Sequence, residues 1–299
     1  MTEQIEKIEY YDRKTGKLCR ETVMGDALIK WAYQTLSGRM LSGLFFGSSL
    51  LSRIIGKYFD SGISRKKIRQ TITDLGIDES EFAVPVEEFK SFNDFFTRKL
   101  KEGARPFSKN PNDLASPADG RILVYDNIGE STKIRVKGIE DSFENLFKRK
   151  INEFDNGQAA VIRLCPADYH RYHFPCSGTV TEQVKIKGKY HSVNPIALQA
   201  VPAVFCKNKR SYAFIETENF GRIAYMEVGA FGVAGIHQTY TDKNVKKMQE
   251  KGYFDFGGST VILFFQPGKI KFSDDLLQHS SKKIETLVKA GETIATAIL

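Results

Sequence analysis

Three short segments of the chain carry side chains able to do chemistry together. The first, Ser116-Pro117-Ala118-Asp119-Gly120, offers one carboxylate in a tight turn. Taken alone, an Asp-Gly turn is ordinary loop chemistry, because both residues favour turn backbone. The second, Asp168-Tyr169-His170-Arg171-Tyr172-His173, places two of the chain's five histidines three residues apart. A lone histidine is most often a hydrogen-bonded structural residue. A close pair reads as acid–base machinery, because imidazole exchanges its proton near neutral pH. His-x-x-His also fits a metal, but no third group of ligands accompanies it, so no metal is expected. The third segment is Phe256-Gly257-Gly258-Ser259-Thr260, followed by the apolar run Val261–Phe265. Two glycines before a serine either bend a strand at a sheet corner or open the backbone for Ser259 Oγ. In the second case the hydroxyl can reach the carbonyl carbon of Gly258.

The elements that must position these residues change character along the chain. Residues 1–35 begin with an expected hairpin: Ile8–Tyr11, the turn cluster Asp12–Gly16, and a second run to Val23. Over residues 37–75, Leu41, Leu44, Phe45, Leu51, Ile55, Tyr58 and Phe59 recur at helical spacing and form one apolar stripe beside many basic residues. Such a stripe covers either the protein's own core or an anionic membrane face. Ser91 with Asp94 three later resembles a capping box, and Phe92, Phe95, Phe96 and Leu100 follow on one helical face. Residues 101–118 are rich in Pro, Asn and Ser and divide the chain. The expected regions are 1–110, hairpin and amphipathic helices, and 111–299, a β-rich core. Within the second, Arg121–Tyr125, Ala159–Leu164, Gly178–Lys187, Tyr212–Thr217, Arg222–Val228, Ser259–Phe265 and Lys269–Phe272 alternate with turn residues, and Leu287–Ala295 reads as strand, turn, strand. The predicted fold is α+β: a helical, membrane-facing N-terminal segment, then a mainly antiparallel sandwich or barrel-like core.

Composition sets outer limits. The 299 residues carry a net charge of +8, which favours an anionic partner such as a lipid surface, a nucleic acid or an acidic substrate. Cys19, Cys165, Cys176 and Cys206 are scattered, with no Cys-x-x-Cys pair, as expected in a reducing compartment. The polar start predicts no signal peptide, and no apolar run approaches the ~20 residues that span a bilayer.

In the order Asp, His, Ser, the three segments together resemble the bacterial phosphatidylserine decarboxylases. Further matching stretches are Phe92–Pro106, Ser192–Pro195 and Glu227–Ala230 before Gly235. One departure is Gly257-Gly258, where many members carry Leu-Gly before the serine. The resemblance implies that Asp119, His173 and Ser259 form a triad for cutting the chain itself between Gly258 and Ser259. It further implies that Ser259 becomes a covalent pyruvoyl group, whose carbonyl forms a Schiff base with the substrate amine. The cut would leave a large chain, 1–258, and a small chain, 259–299, held together as a heterodimer. His170 is the candidate proton donor during decarboxylation. Phosphatidylserine in an anionic membrane is the implied substrate, met on the cytoplasmic side of the cell membrane by a peripheral enzyme. Nucleic acid is not an expected partner, and further homodimerisation is left open. Asn194, Lys207 and Arg210 are candidate phosphate contacts, with solvated loop polarity the plainer reading of each.

Three other readings stay open at this stage. A Ser-His-Asp hydrolase acting on other molecules would use the same chain order, although no Gly-x-Ser-x-Gly elbow surrounds Ser259. A pyruvoyl decarboxylase for a small amino acid would share the self-cleavage without needing a basic amphipathic segment. A basic binding module would leave the His pair and the Gly-Gly-Ser-Thr segment without a role.

Overall fold

The computed structural model describes residues 9–21, 49–129, 134–136, 139–141, 143–188, 204–232 and 235–298. Its centre is a ten-stranded sheet. From one edge to the other run the strands Asn244–Val245, Gly178–Ile186, Arg210–Glu216, Arg222–Gly232, Gly257–Phe265, Gly157–Leu164, Gly120–Ile128, Glu285–Val288, Glu9–Asp12 and Lys17–Arg20. The pairings are antiparallel except where Glu9–Asp12 lies parallel to Glu285–Val288. Three smaller sheets accompany it. One of these joins Ile236–Gln238, Glu250–Phe254 and Arg171–His173.

The expected antiparallel core is present, but it is not a barrel. The large sheet is open, with Asn244–Val245 and Lys17–Arg20 at its edges, and no sheet closes among the described residues. Val261, Leu263 and Phe265 face one cluster of buried residues with Tyr225, Leu164 and Ile162. Ile262 and Phe264 face a second, with Phe147, Phe154, Phe214 and Met226. This is why Val261–Phe265 is a continuous apolar run and not an alternating one: alternate side chains point to opposite faces, and both faces are covered.

The hairpin forms as expected. Asp12 caps its turn, accepting from Lys14 N at 2.9 Å and Thr15 Oγ1 at 2.9 Å. Ser91 accepts from Asp94 N at 3.1 Å and so starts the Phe92–Phe96 helix, while Asp94 accepts from Lys90 N at 2.9 Å. That helix belongs to a third cluster with Ile68, Ile72, Phe82, Val86 and Phe89.

The apolar stripe is only partly within view. Leu41, Leu44 and Phe45 lie outside the described residues, and the Ser49–Asp60 helix is the portion described. Phe59 packs inward against Phe92 and Phe256, whereas Ile54 is 56% exposed. The protein's own core therefore takes part of the stripe. No described helix is long and apolar enough to cross a membrane.

Candidate active site

Ser259 lies near the start of a strand in the middle of the sheet, opposite Leu164 on one side and Gly229 on the other. The strand opens at Gly257 with φ +149°, a backbone shape that L side chains rarely adopt. Ser259 is buried, and its Oγ has no hydrogen-bond partner among the described residues. A buried hydroxyl without a partner is costly. Here it is the hydroxyl that the sequence reading takes as a candidate nucleophile.

The histidine segment grows from Ser259's cross-strand neighbour. The chain leaves Leu164, and Asp168 closes the turn by accepting from Cys165 N at 2.7 Å. Arg121 Nη1 donates to the same carboxylate at 2.5 Å. The Asp168 carbonyl accepts from His170 Nδ1 at 2.9 Å. That bond fixes the tautomer: Nδ1 carries the proton and Nε2 a lone pair. Nε2 is buried with no partner, and the ring lies against Phe96 with centroids 3.8 Å apart. Burial, with the positive charge of Arg98 adding to it, pushes His170 down to about 3. It is a neutral base at neutral pH.

His173 ends the Arg171–His173 strand of the three-stranded sheet and is half-buried. Its backbone N–H donates to Pro117 O at 2.8 Å, which ties it to the Asp119 turn. Tyr225, on the Ser259 strand's neighbour, donates to His173 O at 3.2 Å. Desolvation lowers the ring's pKa, while the carboxylates of Glu250 and Asp119 pull the other way. His173 Nδ1 is also buried and has no partner.

Asp119 is fully buried, and its carboxylate is occupied on all sides. Oδ1 accepts from Arg105 Nε at 2.8 Å and from Ala290 N at 2.8 Å. Oδ2 accepts from Arg105 Nη2 at 2.7 Å and from Lys289 Nζ at 3.2 Å. Burial opposes the charge, but Lys289 and Arg105 overcome it and hold the carboxyl below its usual range. The structure thus brings Asp119, His170, His173 and Ser259 to one end of the sheet. Among the described residues, no hydrogen bond joins Asp119 to His173, and none reaches Ser259 Oγ.

Several supporting residues have no role assigned by the sequence alone. Asn93 accepts from Phe256 N at 2.8 Å and donates to Asp255 Oδ1 at 3.3 Å, which fixes the chain just before Gly257. Arg98 holds the Ala167 and Asp168 carbonyls from beneath, each at 3.2 Å. Lys251 and Glu227, both fully buried, pair between the histidine sheet and the Ser259 sheet. Asn93, Arg98 and Arg105 fall in the Phe92–Pro106 stretch and Glu227 in Glu227–Ala230, so the resemblance marks these segments while only the structure assigns their supporting contacts.

Of the candidate phosphate contacts, Asn194 lies outside the described residues and Lys207 is exposed. Arg210 is neither solvated nor free: it is buried and donates to the carbonyls of Leu146, Cys206, Asn208 and Asn145. All four cysteines are free thiols.

The same end of the sheet thus holds an unpartnered buried hydroxyl, two histidines whose pKa is lowered by burial, and a charge-compensated aspartate. A model of the family described as phosphatidylserine decarboxylase matches residues 92–296. A phosphatidylserine decarboxylase proenzyme of Clostridium botulinum (strain Hall) is 47% identical over 290 residues, covering 96% of this chain and 98% of its own. Proenzymes of the same name from Clostridium tetani and Fusobacterium nucleatum are 45% and 43% identical, each over 96% of this chain and 97% of the relative. The chain belongs to the phosphatidylserine decarboxylase family and is a decarboxylase, a carboxy-lyase.

Proposed function

We propose that this protein decarboxylates phosphatidylserine to phosphatidylethanolamine, using a pyruvoyl group that it makes from Ser259 by cutting its own Gly258–Ser259 bond. The observation that carries this reading is the buried, unpartnered Ser259 Oγ directly after Gly257-Gly258. The fit to the pyruvoyl group rests on the same atom: a serine at the start of a central strand, next to a glycine bend, can lose its bond to the preceding residue while staying in register.

Self-cleavage uses residues with their ordinary chemistry. His173, neutral because burial disfavours its cation, takes the Ser259 Oγ proton. Asp119 stabilises the resulting imidazolium. Oγ attacks the Gly258 carbonyl carbon, the Ser259 nitrogen leaves with a proton, and the amide becomes an ester. Loss of the Ser259 α-proton then breaks the Cβ–O bond and frees a carboxylate on Gly258. Water replaces the nitrogen at residue 259, and ammonia departs.

The fold supports survival of the cut. Residues 259–265 stay paired with Gly157–Leu164 on one side and Arg222–Gly232 on the other. Glu285 of the small chain accepts from buried Arg163 at 3.1 Å and 2.6 Å, a two-point contact across the two products.

The pyruvoyl carbonyl supplies an electron sink, which the ordinary side chains lack. The chain's own part is proton management. His170 relays a proton through its unpartnered Nε2 to the substrate carbon after carbon dioxide leaves. Asp168 O keeps Nδ1–H in place throughout.

Access from a membrane is supported by the residues around the Ser49–Asp60 helix. Phe59 touches Phe256, with ring centroids 4.1 Å apart, while Ile54 and Ile63 stay exposed beside Lys57, Arg65 and Lys66. An anionic surface attracts such lysines and arginines by about 1 kcal/mol each. The enzyme is peripheral, on the cytoplasmic face.

The test is to mix the purified protein with phosphatidylserine vesicles and measure carbon dioxide and phosphatidylethanolamine. Wild type should form both, and Ser259→Ala neither. A fluorophosphonate probe that labels Ser259 in active protein would favour a hydrolase instead.

A further inference from the structure

We propose that Lys289 restrains self-cleavage by occupying the Asp119 oxygen that His173 needs. This rests on the self-cleavage reading above.

A carboxylate offers about four lone-pair positions. Asp119 has four donors already: two from Arg105, one from Ala290 N and one from Lys289. His173 Nδ1 is buried and has none. A histidine that takes a serine proton at Nε2 works best with Nδ1–H held by a carboxylate. His173 N donates to Pro117 O at 2.8 Å, two residues before Asp119, yet no hydrogen bond joins the two side chains among the described residues. One donor must therefore leave before the relay closes.

Lys289 is the donor able to leave. Its bond is the longest of the four at 3.2 Å, and its side chain is 45% exposed. Arg105 is 10% exposed, grips both carboxylate oxygens and is anchored to Glu81 at 2.9 Å. Ala290 N belongs to a turn knitted to the Asp119 loop through Gly291 N to Ser116 O at 2.9 Å and Ser116 N to Glu292 O at 2.7 Å. A lysine ammonium is a compact, well-hydrated charge on a flexible stem, so water replaces Asp119 readily when it swings out. Its departure opens a lone pair at Oδ2.

Lys289 lies in the segment that becomes the small chain, whereas Arg105 and Asp119 lie in the large one. Docking of the last strands thus sets the restraint, and solvent access to Lys289 relieves it.

The experiment is a pulse–chase of the full-length chain in cell-free translation, with the fragments 1–258 and 259–299 followed by mass. Lys289→Met should process faster than wild type, by about threefold to tenfold, the gain expected from freeing one hydrogen-bond position on Asp119 for the His173 ring. Lys289→Ala should behave in the same way, and Lys289→Arg, which keeps both charge and donor, should be no faster than wild type. Melting of the Ser259→Ala versions establishes that each variant is folded. Folded Lys289→Met and Lys289→Ala chains that process at the wild-type rate or slower overturn the inference. A folded wild-type chain that never cleaves overturns the self-cleavage reading itself, which is a different failure.

Discussion

Acid should unfold this protein partly through His170. The ring is fully buried against Phe96, and burial with the Arg98 charge lowers it from 6.5 to about 3. An unfolded chain takes up this proton at about 6.5, whereas the folded chain resists until about 3. The folded-state pKa is depressed, so its contribution is present in full above pH ~6.5 and drains away as pH falls toward 3. Each pKa unit corresponds to about 1.4 kcal/mol, which gives a maximum near 5 kcal/mol and about 2 kcal/mol already lost at pH 5. The perturbation is His170→Gln in a Ser259→Ala background, so that processing does not intervene. The assay is urea unfolding at pH 7.5 and pH 5. Carboxylates and His173 titrate in both chains, so the comparison isolates His170. The parent should lose about 2 kcal/mol more than the variant over that interval. Equal losses would refute the buried, neutral state and with it the Nε2 lone pair that the proton shuttle requires.

Other consequences follow from the same geometry. Lys251→Met leaves Glu227 charged and unpaired in the core and should cost about 3–5 kcal/mol by chemical denaturation, while adding Glu227→Leu should recover most of it. His170→Ala should cut itself at Gly258–Ser259 yet fail to decarboxylate, as read by fragment masses and product assay side by side. Arg105→Ala removes two of the four bonds on Asp119 and should slow self-cleavage by at least about tenfold in a pulse–chase, since it releases the carboxylate's orientation as well as its charge partner. The protein should sediment with phosphatidylserine-containing vesicles and not with neutral ones, and Ile54→Asp with Ile63→Asp should weaken that binding.

How much of this was legible in the sequence depends on the range of the interactions concerned. Strand and turn residues are set by near neighbours, so Tyr212–Thr217, Arg222–Val228 and Ser259–Phe265 fall within observed strands or overrun them by a residue. The capping pair Ser91 and Asp94 could be read for the same reason. Sheet closure could not: an open ten-stranded order and a barrel differ only in which distant edges meet, and the alternation along each strand is the same in both. The histidine pair His170 and His173 and the serine after Gly257-Gly258 stood out by type and spacing, whereas Asp119 was singled out only by the family resemblance. Their supports did not stand out. Arg105 and Lys289 are separated by most of the chain, and Lys289-Ala290-Gly291 reads as plain turn. Arg210 was misleading for a related reason: its carbonyl partners carry no side-chain signature at all.

The central claim is self-cleavage at Gly258–Ser259 with conversion of Ser259 to a pyruvoyl group. The most direct test is the intact mass of active, purified protein under denaturing conditions. The account predicts two species, one matching residues 1–258 and one matching residues 259–299 less one ammonia. A single full-length species in active protein would contradict it.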